Sequence, residues 1–114
     1  MSDCLFCQIV AGQLPARVAG ESDEALAFYD IAPQAPVHVL VVPKAHYDGV
    51  NEVTLAHHGV FESVLRLAQE VVASEGIKDR GYRLVINTGA DGLQTVSHLH
   101  VHVLGGRAMT WPPG

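Results

Sequence analysis

The stretch V-S-H-L-H-V-H-V-L-G-G, residues Val96–Gly106, alternates strictly and predicts a strand. Such a strand presents two rows of side chains, the histidines His98, His100 and His102 on one face and the apolar residues Leu99, Val101 and Val103 on the other. Imidazole titrates near neutral pH, so three rings on one face can supply a nucleophile, an acid or a metal ligand. A solvated face or adventitious metal binding is the alternative. The period of two beside two glycines favours a chemical site.

The rest of the chain predicts an α+β fold with an antiparallel sheet. Before the histidine strand we expect four strands, at Arg17–Gly20, Ala25–Tyr29, Val37–Pro43 and Tyr82–Asn87. Apolar residues spaced by three and four predict one long helix over Asn51–Gly76. A short N-terminal helix over Cys4–Val10 should turn Leu5, Phe6 and Ile9 inward.

Composition limits the classes of function. The chain has 114 residues, which suggests one domain over residues 1–114, and 48% hydrophobic against 17% charged residues argues against disorder. A formal charge of −5 without a run of Lys and Arg argues against nucleic-acid binding. Without an apolar run near ~20 residues or a signal-peptide pattern, we expect no membrane partner and a cytoplasmic location.

Four stretches together resemble the histidine-triad (HIT) family of nucleotide hydrolases and transferases, in its HINT-like branch. They are H-L-H-V-H-V-L over His98–Leu104, D-I-A-P-Q-A-P-V-H-V-L-V-V-P-K over Asp30–Lys44, N-T-G-A-D-G-L-Q-T-V over Asn87–Val96 and G-G-R-A-M-T-W-P-P-G over Gly105–Gly114. The resemblance implies a five-stranded antiparallel sheet with one long helix and a short N-terminal helix. It also implies a homodimer in which two sheets form one of ten strands.

The middle histidine of the triplet, His100, is best placed to attack phosphorus, because it has an imidazole on each side that can stabilise developing charge. The resemblance implies the same role, with a nucleotidyl-histidine intermediate that water opens. It implies supporting roles near the phosphate for His102 and His38. The phosphate-side polar positions of the family correspond to Asn87, Gln94 and Thr95.

The nucleoside side of the site follows from the same resemblance. Asp30 matches the family's ribose-binding carboxylate, with Ile31 as its neighbour. The substrate that the resemblance implies is a purine nucleotide similar to AMP. The apolar slot around the purine corresponds to Phe6, Ile9 and Phe28, which are equally good core candidates. The resemblance also brings Trp111 to the partner's site. It departs at Leu93, where the family usually has a second glycine.

Two cysteines point to zinc. Cys4 and Cys7 have the C-x-x-C spacing that lets two thiolates converge on one ion, and two histidines would complete a tetrahedral site. His98 and His46 are the candidates, and the resemblance supports them because some bacterial-type members hold zinc with such residues. A pair of reduced, partly buried cysteines is the alternative.

Three functions are compatible with these residues. The first is a purine nucleoside 5′-phosphoramidase, an adenosine 5′-monophosphoramidase that breaks a P–N bond and releases AMP. The second is a dinucleoside polyphosphate hydrolase of the same superfamily. The third is a zinc-structured nucleotide-binding module with little turnover. The intact W-P-P-G end at Trp111–Gly114 favours the first over the second.

Overall fold

A five-stranded antiparallel sheet forms the centre of the computed structural model, which describes residues 3–114. The strands are β1 (Val18–Glu21), β2 (Ala25–Tyr29), β3 (Val37–Pro43), β4 (Tyr82–Val85) and β5 (Val101–Gly105), and the helices are α1 (Leu5–Val10) and α2 (Gly59–Ser74). The spatial order is β1-β2-β3-β5-β4. This confirms the predicted α+β class. None of the helices in the described part of the chain has the length and apolar character needed to span a membrane.

Helix α2 covers one face of the sheet. Alternate residues of β3 and β5 point towards it, because successive side chains of a strand face opposite ways. The core on this side consists of Ala25, Ala27, Val39, Val41, Val64, Leu67, Ala68, Val71, Val72, Ile77, Val101 and Val103. Gly105 belongs to this packing, since a Cβ there would lie 2.6 Å from the side chain of Ile77.

Helix α1 covers part of the opposite face. A smaller apolar cluster lies beneath it, made of Phe6, Leu26, Phe28, Leu40 and Val42, with Cys4, Ile9, Val10 and Val96 packed against it. Because β3 alternates, His38 shares this face with Leu40 and Val42. In β5, His102 lies opposite Leu40 and is therefore on the same face. The sheet thus carries its polar chemistry on the side away from the long helix.

The predicted strand over Val96–Gly106 is too long. Only Val101–Gly105 pairs in the sheet, and the segment before it is bent. The N–H of Leu99 donates to the carbonyl of Tyr47 at 2.7 Å, and that of His98 to the carbonyl of Val96 at 2.9 Å, rather than to a sheet neighbour. Consequently both His98 and Leu99 are buried, and strict alternation of faces begins only at β5.

Other features also differ from the sequence expectation; β1 and α1 each begin one residue later than predicted. The helix predicted over Asn51–Gly76 is two 3-10 turns, Val50–Glu52 and Leu55–His57, followed by α2, because the backbone at Val53 and Thr54 is extended. Strand β4 ends at Val85 rather than Asn87, since Val85 pairs with His102 near the start of β5. In α1, Phe6 is buried, but Leu5 is 49% exposed and does not turn inward.

Candidate functional site

Two clusters of histidines lie on the open side of the sheet. One contains His38, His100 and His102, and the other contains His46 and His98 together with two cysteines. His38 and His102 sit on the neighbouring strands β3 and β5, which explains how residues 64 positions apart come into contact. His100 immediately precedes β5, and its ring centroid is 5.0 Å from that of His102. The structure therefore brings the three predicted catalytic residues together.

The tautomer of His100 is fixed by its hydrogen bond. Its Nδ1 atom is 2.7 Å from the carbonyl oxygen of His98, and a carbonyl can only accept. In the neutral ring Nδ1 therefore carries the proton, and Nε2 keeps an unshared electron pair. Phe6 packs edge-on against the ring at a centroid distance of 5.1 Å and an angle of 86°. His100 is thus a buried imidazole, 4% exposed, with a nucleophilic nitrogen and a fixed orientation.

Hydrogen bonds also fix the tautomers of His38 and His102. The main-chain N–H of Gln34 donates to Nδ1 of His38 at 3.0 Å, so the proton of the neutral His38 ring is on Nε2. That Nε2 atom lies 2.9 Å from Nδ1 of His102 and 3.4 Å from Oδ2 of Asp30. The accepting Nδ1 of His102 places the proton of His102 on Nε2.

Both rings are held in the neutral form. Burial is the main cause that lowers the pKa of His102 to about 4; the nearby rings of His100 and His38 contribute, and Asp30 opposes the shift. Burial also lowers the pKa of His38, and the Asp30 carboxylate only partly opposes this. The hydrogen-bond directions given above therefore apply near neutral pH.

The second cluster has the composition of a metal site. The candidate ligand atoms of Cys4, Cys7, His46 and His98 all lie within 4.8 Å of one another. Nδ1 of His98 is 3.3 Å from the sulfur of Cys4 and 3.5 Å from that of Cys7, and Nδ1 of His46 is 3.3 Å from the Cys7 sulfur. Two thiolates and two imidazoles are a common donor set for a closed, tetrahedral zinc site. The predicted ligands can therefore hold zinc.

The outer nitrogens of both candidate ligands are satisfied. Nε2 of His98 donates to the carbonyl oxygen of Pro43 at 2.8 Å, and Nε2 of His46 lies 2.8 Å from Oδ1 of Asp48. Each bond leaves the lone pair of Nδ1 directed at the sulfurs, which is the usual outer support of a metal-bound histidine. These two outer hydrogen bonds fit a zinc site, and they do so independently of the C-x-x-C spacing.

The pKa values follow the surroundings of the cluster. Burial raises the pKa of the Cys4 thiol, but hydrogen bonds, the largest from the Cys7 main chain, outweigh it, so the net pKa is lowered. The hydrogen bond to Asp48 raises the pKa of His46, whereas burial lowers that of His98. The lowered thiol pKa favours the thiolate, the form that binds metal.

The predicted nucleoside-side residues are partly assembled. Phe6 and Phe28 are in edge-to-face contact at 5.3 Å, and the half-buried Ile9 packs against their cluster. Asp30 lies at the end of β2, where its Oδ1 accepts the Ala32 N–H at 2.8 Å and its Oδ2 faces His38. Ile31 is fully exposed beside it, at 101%.

The predicted phosphate-side residues occupy the segment between β4 and β5. Asn87 is half-buried, and Thr95 is exposed beside a cavity of about 480 Å³ that Cys4 and His46 also line. The Gln94 side chain is bonded to the main chain: it accepts from the N–H of Gly89 at 3.1 Å and donates to the carbonyls of Asp48 and Val96. Gln94 therefore shapes this segment through its amide.

The side chain of Trp111 is 82% exposed in the single chain. The tail that carries it is attached to the edge of the sheet, where Nη2 of Arg83 in β4 donates to the carbonyl of Thr110 at 2.9 Å. The placement of Trp111 at a partner's site stays a prediction.

Sequence reasoning missed three residues that support the site. Asp48 orients His46 from two positions away, a spacing that could have indicated its role. Gln34 supports His38 through its main chain, and Arg107 binds the Gln34 carbonyl, with no side-chain pattern to reveal either contact.

The comparisons with known proteins agree with this geometry. The family model described as HIT domain matches residues 11–109. An uncharacterized HIT-like protein of Synechococcus elongatus is 47% identical over 98% of this chain and 97% of its own length. A 14 kDa zinc-binding protein of Brassica juncea is 44% identical over 98% and 100% of the respective chains. A crystal structure of a HIT family hydrolase from Legionella pneumophila superposes with a TM-score of 0.95 at 46% identity, covering 98% of this chain and 100% of that one. With its two histidine clusters on a matching fold, this chain belongs to the HIT domain family.

Proposed function

We propose that this protein is a hydrolase of purine nucleoside 5′-phosphoramidates, such as adenosine 5′-phosphoramidate, and releases the nucleoside monophosphate. The observation that carries the proposal is the bond from Nδ1 of His100 to the carbonyl of His98, which leaves Nε2 as an unprotonated nucleophile. The Legionella pneumophila relative, named a hydrolase, supports the general class of reaction.

The reaction would proceed in two displacements. The lone pair of Nε2 of His100 forms a bond to phosphorus while the P–N bond to the amine breaks, and the departing amine takes up a proton from solvent. Water then attacks phosphorus and loses a proton to solvent, and the electron pair of the breaking P–N bond returns to Nε2 of His100, which restores the neutral imidazole and gives the monophosphate. The Nε2–H of His102 is the donor available to a phosphate oxygen as negative charge develops.

The substrate would lie across the same side of the sheet. The proposed contacts are Asp30 with the ribose hydroxyls, the apolar residues Phe6, Ile9, Phe28 and Ile31 with the purine, and Asn87, Gln94 and Thr95 on the phosphate side. Asp30 retains lone pairs on both oxygens beyond its contacts to Ala32 and His38. Gln94 would act by holding the segment that approaches the phosphate.

We further propose that Cys4, Cys7, His46 and His98 hold a structural zinc ion. The outer hydrogen bonds of both histidines and the name of the Brassica juncea relative, a zinc-binding protein, support this. A closed site with four protein ligands would fix α1 to the sheet without contributing to the chemistry. Thiolate ligands suit a reducing compartment, in keeping with a cytoplasmic location.

A homodimer completes the proposal. β4 is an edge strand, and its neighbourhood exposes Tyr82, Leu84 and Ile86, at 42%, 39% and 39%. An apolar edge strand in solution is a template for pairing with a second copy. Because the tail is attached to β4 at Thr110, pairing there would bring Trp111 beside the partner.

A single-turnover assay with adenosine 5′-phosphoramidate labelled in its phosphate tests the function. The wild-type protein should acquire acid-labile label on His100. His100→Asn should lose the label and at least about a thousandfold in kcat while still binding AMP. His57→Asn, at an exposed histidine of the same chain, is the control and should retain both.

Two outcomes would contradict the proposal. An unlabelled, inactive wild-type protein that binds AMP would support a zinc-structured binding module instead. A larger kcat/KM for a dinucleoside polyphosphate than for the phosphoramidate would assign the protein to the second hydrolase class.

A further inference from the structure

We propose that Arg107 is a positioning residue for the reaction proposed above. By holding the carbonyl of Gln34, it keeps the Gln34 N–H on His38 and thereby determines which ring nitrogen of His38 carries the proton. The inference rests on the proposed function for its kinetic consequence. Its structural content, the protonation pattern of His38, does not depend on the substrate.

The Arg107 guanidinium donates two hydrogen bonds to the carbonyl of Gln34. Its Nε and Nη2 atoms lie 3.2 Å and 3.1 Å from the oxygen of Gln34, and Nη1 donates to the carbonyl of Ala108 at 3.0 Å. The planar fork of arginine presents these N–H groups in a fixed geometry, which the single ammonium group of lysine does not reproduce. Arg107 therefore links the segment after β5 to the loop between β2 and β3.

The backbone reinforces this link. Gly106 has a φ of +86°, and a Cβ there would lie 2.8 Å from Cβ of Pro36. The left-handed conformation and the close approach both require glycine. The loop that contains Gln34 is therefore packed directly on the turn that positions Arg107.

Two further hydrogen bonds lie within the loop. The N–H of Ala32 donates to Oδ1 of Asp30 at 2.8 Å, and the Gln34 side-chain amide donates to the carbonyl of Ala32 at 2.9 Å. These bonds shape the loop, but they do not attach Gln34 to β5 or to the segment that follows it. The Arg107 side chain does attach Gln34 to the segment that follows β5.

The main-chain N–H of Gln34 determines the tautomer of His38. A main-chain N–H can only donate, so Nδ1 of His38 must accept from Gln34 and the proton must be on Nε2. Burial lowers the pKa of His38 and keeps the ring neutral, so the choice lies between two tautomers. The Nδ1–H tautomer of His38 is disfavoured because its proton would face the Gln34 N–H, another donor. Without that N–H, this disadvantage would disappear.

The consequence passes to His102. When Nε2 of His38 carries the proton, it donates to Nδ1 of His102, and the His102 proton is then on the outer nitrogen, available to a phosphate oxygen. The opposite tautomer of His38 would accept from His102 and remove that donor. Arg107 thus supports transition-state stabilisation without touching the substrate.

The test uses Arg107→Lys and Arg107→Met, with Arg66→Met as the matched control. Arg66 is an exposed arginine on α2, where it pairs with Glu62. In zinc-replete full-length protein labelled with ¹⁵N-histidine, the wild type should show His38 as the Nε2–H tautomer. Both Arg107 variants should shift the two His38 nitrogens towards a mixture, while Arg66→Met should not.

The kinetic readout is kcat against KM for adenosine 5′-phosphoramidate. We expect kcat to fall about tenfold in both Arg107 variants with little change in KM, a fraction of the hundredfold or more contributed by a general acid. Unchanged His38 nitrogen shifts in both variants would overturn the inference, whatever the kinetics. Shifted nitrogens in a protein that has no wild-type turnover would uphold the positioning role and refute the proposed function.

Discussion

The main-chain carbonyl of His98 accepts the Nδ1 proton of His100 at 2.7 Å, while the His98 ring faces the two cysteine sulfurs. His98 thus belongs to the metal-ligand cluster and, through its carbonyl, also binds a histidine of the other cluster. Phe6 provides a second connection, because it lies between Cys4 and Cys7 in sequence and packs edge-on against His100 at 5.1 Å. The metal-ligand cluster is therefore connected to the proposed nucleophile by a hydrogen bond and a ring contact, although the metal would take no part in the chemistry.

Metal loss is consequently expected to affect both stability and turnover. The double variant Cys4→Ser with Cys7→Ser should release about one zinc per chain, lower the melting temperature and reduce kcat about tenfold, as a displaced nucleophile would. Metal analysis, calorimetry and phosphoramidate hydrolysis measure the three effects. Leu5→Ser, at an exposed position of the same helix, is the control and should change none of them.

Zinc retained by the double variant would show that the ligands lie elsewhere. A metal-free protein with wild-type kcat would show that the contacts of His98 and Phe6 do not position His100.

Acid should destabilise the protein through His102. Its pKa is lowered from 6.5 to about 4, mainly by burial, so between these values the unfolded chain binds a proton that the folded chain does not. The free energy of unfolding therefore falls as pH decreases from 6.5 towards 4, by at most about 1.4 kcal/mol per pH unit for this group. Urea titrations across this range measure the slope.

The variant His102→Gln should flatten that slope, since glutamine does not titrate. His57→Gln, at an exposed histidine, should leave it as in the wild type. Equal slopes in all three proteins would mean that His102 is not held neutral by the fold.

The sequence could predict the parts of this molecule that depend on local pattern. The β-branched run of β3 and the apolar spacing within α2 each specify one element, and the C-x-x-C pair with His46 and His98 gives the candidate metal-ligand set. It could not predict the bend before Val101. That bend depends on a bond from Leu99 to the distant carbonyl of Tyr47, which no local pattern encodes.

Support through main-chain groups is equally invisible in sequence. Gln34 and Pro43 orient histidines by an N–H and a carbonyl that any residue, or nearly any, would supply. Arg107 is visible as a residue type, but its partner is again a carbonyl. The candidate ligands and the proposed nucleophile could therefore be predicted from side-chain chemistry, whereas their positioning required the fold.

Leu93 occupies a conformation that suits glycine. Its φ is 60°, in the left-handed region, and its side chain is 73% exposed, so little packing compensates for the strain. Leu93→Gly should raise the free energy of unfolding by about 0.5–1 kcal/mol, after allowance for the greater entropy of glycine in the unfolded chain. Leu93→Ala, which keeps the Cβ, is the control and should not stabilise. Equal stabilities of the two variants in urea would contradict this account.

The edge strand β4 is expected to form the dimer interface. Leu84→Glu places a charge on its exposed apolar side, where a second copy would pair, and should convert a dimer into a monomer of 12.2 kDa. Leu65→Glu is the control, because Leu65 is similarly exposed, at 43%, but lies on α2. Sedimentation at micromolar concentration should give twice the chain mass for the wild type and the control.

Dimerisation should also influence specificity through the tail. If Trp111 reaches the partner's site, deletion of residues 110–114 and the monomeric Leu84→Glu variant should alter the relative kcat/KM for different leaving amines in the same direction. The deletion removes the tryptophan and the point variant removes the partner, so a shared change identifies contact between subunits. A wild-type protein that sediments as a 12.2 kDa monomer would refute the dimer. A dimeric deletion variant with unchanged preference would confine the tail to a structural role at the edge of the sheet.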